Sequence, residues 1–199
     1  MPPEALSFDP YSTASVTEDV MREAAALFSE EYGIWGPRAE EMGRWCEPGV
    51  RIKMSRLKLR QQSLSPGTDS VLVCCRDNGG LVGHAFVTRW DDGATRVCWV
   101  TQLCVRKEYR LRGVATALLK HLKHNDDHVF GILSSHPAAL MALLRALGPG
   151  LEAVDLDFMR EHAQNVLVTS PVDAIKWLVI KFYKQLEMGE VAELVMAPG

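Results

Sequence analysis

The run Val97-Cys98-Trp99-Val100-Thr101-Gln102-Leu103-Cys104-Val105, with the charged turn and glycine behind it, constrains this chain more than any other stretch. It is apolar and rich in β-branched residues, which predicts a buried strand. Arg106 to Arg112 make a basic turn, and Gly113 then opens a helix in which Val114, Ala117, Leu118, His121 and Leu122 recur at helical spacing. Strand, basic turn, glycine and helix start, in that order, suit the gripping of phosphate. The first turn of a helix leaves about four backbone N–H groups unpaired, and the helix dipole favours an anion there. Gly113 admits the anion where a Cβ would intrude, and Arg110 and Arg112 add positive charge at the rim. The plain alternative is a solvated surface loop. The pattern is not a Walker loop, because the Gly-Lys-Ser/Thr ending is missing, and not a dinucleotide fingerprint, because it has one glycine where that motif has three.

The flanking segments read as alternating strands and helices. Residues 1–14 hold at most one short strand. Ser15-Val16-Thr17-Glu18 has the capping-box form ahead of a helix with Val20, Ala24, Leu27 and Phe28 on one face, ended by Gly33. Pro37 suits the start of a second helix running to about Cys46. Over residues 50–63 a helical face (Val50, Met54, Leu57) competes with strand-like alternation, and helix is favoured. Val71–Arg76, Leu81–Trp90 and Thr95–Val105 then predict an antiparallel meander turned at Asp77-Asn78-Gly79-Gly80 and Asp91-Asp92-Gly93. A helix from Gly113 to about Lys123, a strand His128–Ser134 and a helix Pro137–Leu147 follow.

Arg110-Leu111-Arg112-Gly113-Val114-Ala115 resembles the Gln/Arg-x-x-Gly-x-Gly/Ala signature of the GNAT superfamily of acyl-CoA-dependent N-acyltransferases, and Leu103-Cys104-Val105 is similar to that family's pantetheine-binding strand. The resemblance runs from about Ser70 to Gly148. It implies an α/β fold: a GNAT-like mixed, mostly antiparallel sheet flanked by helices and splayed between strands four and five, where the pantetheine arm inserts. It also implies acetyl-CoA as cosubstrate, bound by Leu103, Cys104, Val105, Arg110, Leu111, Arg112, Gly113, Val114, Ala115 and Thr116. Family members usually close with a two-strand hairpin, for which Asn165–Thr169 and Val191–Ala197 are the segments available. Between them Ser170-Pro171-Val172-Asp173 caps an apolar helical pattern that either packs on the core, the preferred reading, or makes a subunit contact in a homodimer.

Amine acylation needs a neutral amine, an oxyanion site and a proton for the departing thiolate. An alkylamine of pKa near 10 is mostly charged at neutral pH, so a base or a desolvating site is required. Backbone N–H of Leu103 to Val105 would serve the oxyanion. The glutamate that several family members carry on the fourth strand is missing, with Trp99, Thr101 and Gln102 in its place; the helical tyrosine is replaced by Leu143 or Leu144. His136 is the substitute of choice for moving protons, against the plainer reading of a helix-start histidine. His84 is expected to be half-buried in its strand, or else a base reaching the cleft. Glu30 and Glu31 form either a solvated helix end or an anchor for a cationic amine, and Tyr32 and Trp35 either wall an acceptor pocket or cap the core. Arg51, Lys53, Arg56, Lys58 and Arg60 form a basic run, either a solvated face or a contact for the CoA 3′-phosphate, an acidic acceptor or an acidic partner.

A chain of 199 residues, 47% apolar, can bury a sizeable core without demanding two domains, so one domain over 1–199 is expected, its core at 70–148 and an atypical segment at 149–199. A formal charge of −3 argues against general nucleic-acid affinity. Cys46, Cys74, Cys75, Cys98 and Cys104 show no metal spacing, so no metal is expected and the compartment is read as reducing, the cytoplasm first and the nucleus still open. No apolar run reaches the roughly 18 residues of a membrane helix. The expected function is acetyl transfer from acetyl-CoA to a primary amine, small molecule or peptide, in a direct ternary complex. A non-catalytic acyl-CoA-binding sensor or scaffold, and a protein-interaction domain that has lost CoA binding, are the alternatives.

Overall fold

The computed structural model describes residues 6–42, 46–64, 66–93, 95–134, 136–148, 156–172 and 194–198. Its strands are β1 (Ser7–Ser12), β2 (Asp69–Asp77), β3 (Gly80–Asp91), β4 (Arg96–Val105), β5 (Val129–Leu133) and β6 (Leu194–Pro198), paired in chain order in one six-stranded sheet. All neighbours are antiparallel except β4 and β5, which run parallel. The β2–β3 hairpin turns through Asn78 (φ 49) and Gly79 (φ 77), the two left-handed residues that a tight type I′ connection requires. The parallel step needs a crossover, supplied by α3 (Val114–Leu122).

Pleat alternation sends two sets of side chains to opposite faces. Val73, Ala85, Val87, Cys98, Val100, Phe130 and Ile132 pack against α3 and α4 (Pro137–Leu147). Leu72, Cys74, Phe86 and Cys104 pack against α1 (Glu18–Glu31) and Leu59 of α2 (Arg56–Ser63). Farther along that second face, Trp90, Val97, Trp99 and Val129 meet Val166 and Leu167 of α5 (Leu156–Thr169). The Trp99 ring lies on Gly131, its register partner, where any Cβ would stand 2.4 Å from ring carbons.

Four sequence expectations change. The α1 cap is Thr17, whose side-chain oxygen accepts the Val20 N–H at 3.3 Å; Ser15 instead closes a turn on Ser12. From Pro37 the described chain makes only the short 3-10 turn Ala39–Met42. Helix in the 50–63 region starts later than expected, at the Ser55 cap, because residues 49–52 hydrogen-bond back to Gly33 and Trp35. Asn165–Thr169 is not a strand: it is the last turn and a half of α5, drawn into helix by packing on the two tryptophans. The segment expected as the closing strand is found as β6, on β5. The apolar helical pattern beyond Asp173 lies outside the described residues. No described helix is long and apolar enough to cross a membrane.

Candidate functional site

β4 and β5 pair only from Val97↔Val129 to Val100↔Ile132, while β4 continues along β3 to Gly83↔Val105. Main-chain groups of Thr101 to Val105 that point away from β3 therefore have no strand partner among the described residues, and the two strands part toward their carboxyl ends. Because β4 and β5 are parallel, the N-termini of α3 and α4 stand at that same end, where ligands of open α/β sheets bind. A bulge sits at the mouth of the gap. Phe86 pairs with Gln102 and Val87 with Val100, so Thr101 is the extra residue, its hydroxyl 3.4 Å from the Phe86 carbonyl. The sequence reading missed this bulge. The signal was two adjacent polar residues, Thr101 and Gln102, breaking an otherwise apolar strand.

Past β4, a 3-10 turn (Lys107–Tyr109) leads to Leu111 and Gly113, which take φ values of 60 and 80. Gly113 caps α3 with no side chain, and an added Cβ there meets nothing within 4 Å. The glycine is thus favoured by its left-handed backbone, not by neighbours in the chain. The first bond of α3 is Ala117 N–H to the Gly113 carbonyl, which leaves the N–H groups of Val114, Ala115 and Thr116 without intrahelical acceptors.

The two rim arginines differ. Arg110 is tied down: Nε donates to the Val105 carbonyl at 3.0 Å and Nη2 to the Glu31 carbonyl at 2.5 Å, with the Glu31 carboxylate 3.4 Å away. Arg112 lies over the Tyr109 ring at 5.7 Å and has no carboxylate partner among the described residues. The Tyr109 hydroxyl in turn donates to Asp77, which holds this loop against the β2–β3 turn. Arg112 is the available cation of the pair, and Arg110 is a strut.

His136 stands at the start of α4, exposed, with Nδ1 accepting the Ala138 N–H at 3.2 Å. An accepting Nδ1 places the proton of the neutral ring on Nε2. The ring can therefore donate a hydrogen bond from Nε2 while Nδ1 serves the cap.

His84 is not half-buried and does not reach the gap. It is wholly buried between its cross-strand neighbours Cys74 and Cys104, edge-on to Phe86, and neither ring nitrogen has a hydrogen-bond partner among the described residues. Burial pushes its pKa down to about 3. The unfolded chain binds this proton near pH 6.5 and the folded chain does not. The stabilising contribution is accordingly complete above about pH 6.5 and is lost as the pH falls toward 3. Between pH 6 and pH 4 the parent should lose roughly 1 kcal/mol more per pH unit than a His84→Met variant. Urea denaturation across that range checks this, and parallel pH profiles would contradict it.

Burial pushes the Cys74, Cys75 and Cys104 thiols up, to about 12, 11 and 12, and raises Cys98 further, so these side chains are inert packing groups. Cys104 offers the site its backbone only. Leu143 and Leu144 are buried on α4. Tyr32 stacks on Phe28 at 4.2 Å and is half exposed, and Trp35 joins the 33–35/49–52 ladder. Three members of the basic run are engaged within the chain: Arg51 with the Glu30 carbonyl, and Arg56 and Arg60 with Glu18. Among the described residues no group of three or more His, Cys, Asp or Glu is placed to hold a metal.

A model of the acetyltransferase (GNAT) family matches residues 24–132. Among solved structures, the chain is similar to the ribosomal-protein-S18-alanine N-acetyltransferase of Escherichia coli (15% identity, 71% of this chain and 77% of that one, TM-score 0.46). It is also similar to an aminoglycoside acetyltransferase from an uncultured soil metagenomic sample (21% identity, 77% and 97%, TM-score 0.47). A third likeness is to a fungal multi-domain β-N-acetylglucosaminidase with a glucosamine N-acetyltransferase region (17% identity, 82% of this chain, TM-score 0.47), of which the chain spans 16%. No curated protein matches the sequence.

Proposed function

The chain belongs to the acetyltransferase (GNAT) family, and we propose that it transfers an acetyl group from acetyl-CoA to a primary amine in a direct ternary complex. The observation that carries this reading is the parting of β4 from β5 beside the Gly113 cradle. The gap suits an extended arm that takes main-chain hydrogen bonds from residues 101–105. The N–H groups of residues 114–116 and the Arg112 guanidinium suit a pyrophosphate.

In the reaction the neutral amine attacks the thioester carbonyl, forming the C–N bond, and the C–S bond then breaks. A backbone N–H of the 103–105 segment holds the oxyanion. The amine loses a proton and the departing thiolate gains one. His136 Nε2–H is the hydrogen-bond donor we assign to the thiolate, and the proton lost by the amine reaches the sulfur through water. The neutral amine arises by desolvation or by water, because β4 carries no carboxylate between Val97 and Val105. That same lack, together with apolar Leu143 and Leu144, favours a second reading: a module that binds acyl-CoA without turning it over.

Incubation with acetyl-CoA and a panel of small amines and peptides with free amino termini, read as released thiol and acetylated product, separates the two. Product is expected. Binding without product from any amine would favour the module. A His136→Asn variant keeps a capping oxygen for Ala138 N–H but has no ring nitrogen. Its turnover should fall about tenfold to a thousandfold with unchanged melting temperature. Unaltered turnover between pH 6 and pH 9 would reduce His136 to a helix cap.

A further inference from the structure

The carboxyl end of α1 is more closely joined to the loop behind β4 than a solvated helix end would be. The last turn of α1 carries Glu30 and Glu31 and no basic residue, so its free carbonyls and its dipole need cations from elsewhere. Arg51 donates to the Glu30 carbonyl and Arg110 to the Glu31 carbonyl. The Glu31 carboxylate adds a second tie, accepting the Lys107 N–H at 3.0 Å. Its side chain is 16% exposed, against 59% for Glu30, so Glu31 faces the loop and is withdrawn from any incoming amine.

Lys107 starts the 3-10 turn that delivers Leu111 and Gly113 in left-handed conformations. For Leu111, 97% exposed and without packing to hold it, φ of 60 is costly and persists only if both ends of the loop are held. Ahead of Leu111 the loop is held by Tyr109 on Asp77 and by Glu31 on Lys107 and Arg110; behind it, Gly113 is fixed by the first hydrogen bond of α3.

We propose that Glu31 is a positioning residue that keeps the 107–113 loop in its anion-binding shape before acetyl-CoA arrives. This rests on reading that loop as the acetyl-CoA cradle. Holding the loop in advance removes an ordering cost from binding, so losing Glu31 weakens acetyl-CoA and leaves the acceptor alone.

Calorimetric titration of acetyl-CoA into the folded full chain tests it. Glu31→Ala should bind about tenfold more weakly than the parent. Glu31→Gln keeps an oxygen for the Lys107 N–H and should recover most of that loss. In steady state the KM for acetyl-CoA should rise in Glu31→Ala with kcat little changed. Equal affinity in the parent and Glu31→Ala would overturn the proposal. A raised acceptor KM with unaltered acetyl-CoA affinity would also overturn it, making Glu31 an amine anchor. If the parent itself fails to bind acetyl-CoA, the cradle reading falls and this inference falls with it.

Discussion

Gly113→Glu should weaken acetyl-CoA binding about a hundredfold or more and leave the fold standing. Two effects of different size act at that position. The backbone is left-handed (φ 80), which costs a side-chain-bearing residue roughly 1–2 kcal/mol of folding stability. No neighbour within 4 Å opposes the new Cβ, so the fold loses little else. Binding loses more. A carboxylate about 4 Å from a phosphate charge is repelled by roughly 4 kcal/mol at an effective dielectric near 20, and each 1.4 kcal/mol is a factor of ten in affinity. Gly113→Ala bears the same backbone cost without the charge and should keep much more affinity than the glutamate variant. Calorimetry on both, with melting curves as the control, distinguishes them. Tight binding by folded Gly113→Glu would remove the anion from this helix start.

Asp127→Ala should destabilise the chain by about 3–5 kcal/mol, the usual cost of leaving one partner of a buried ion pair alone. Arg89 and Asp127 are almost completely buried, and the pair is bidentate, with Nε–Oδ1 at 2.8 Å and Nη2–Oδ2 at 3.0 Å. Arg89 also donates to the Leu122 carbonyl and Asp127 accepts the His124 N–H, so the pair fastens the end of α3 to β3. Burial alone would raise the Asp127 pKa. The Arg89 and His124 hydrogen bonds outweigh it and hold the carboxyl below its usual range. A depressed carboxyl stabilises above its unfolded pKa, and that contribution is lost as the pH falls through the folded value. The double variant Arg89→Met with Asp127→Leu should recover much of the loss, because it leaves no unpaired charge. A double variant no more stable than Asp127→Ala would mean that the packing at this site, rather than the stranded charge, sets the cost.

The central strands were legible because their signals are local. The Asn78-Gly79 turn sets the β2–β3 register, and the apolar runs on each side are long enough to read. Gly113 stood out for the same reason. The failures have tertiary causes. Asn165 to Thr169 contains a Val-Leu-Val triplet with strand propensity, but Ala163, Val166 and Leu167 make a helical stripe once Trp90 and Trp99 are there to receive it. His84 resembles any alternating strand residue in sequence; only the packing of α1 over Cys74 and Cys104 buries it. Arg110 and Arg112 are indistinguishable as two positive charges in a turn, and the position of Glu31, far away in sequence, makes one a strut. The basic run lost most of its expected freedom in the same way, to Glu18 and the end of α1.

Hydrogen exchange of the full chain with and without acetyl-CoA reports where the ligand sits. Slowed exchange is expected in residues 101–116, over the unpaired edge of β4 and the start of α3, with β1 and β2 unaffected. Protection absent from that stretch at saturating acetyl-CoA, or confined to another part of the chain, would contradict an acetyl-CoA site there.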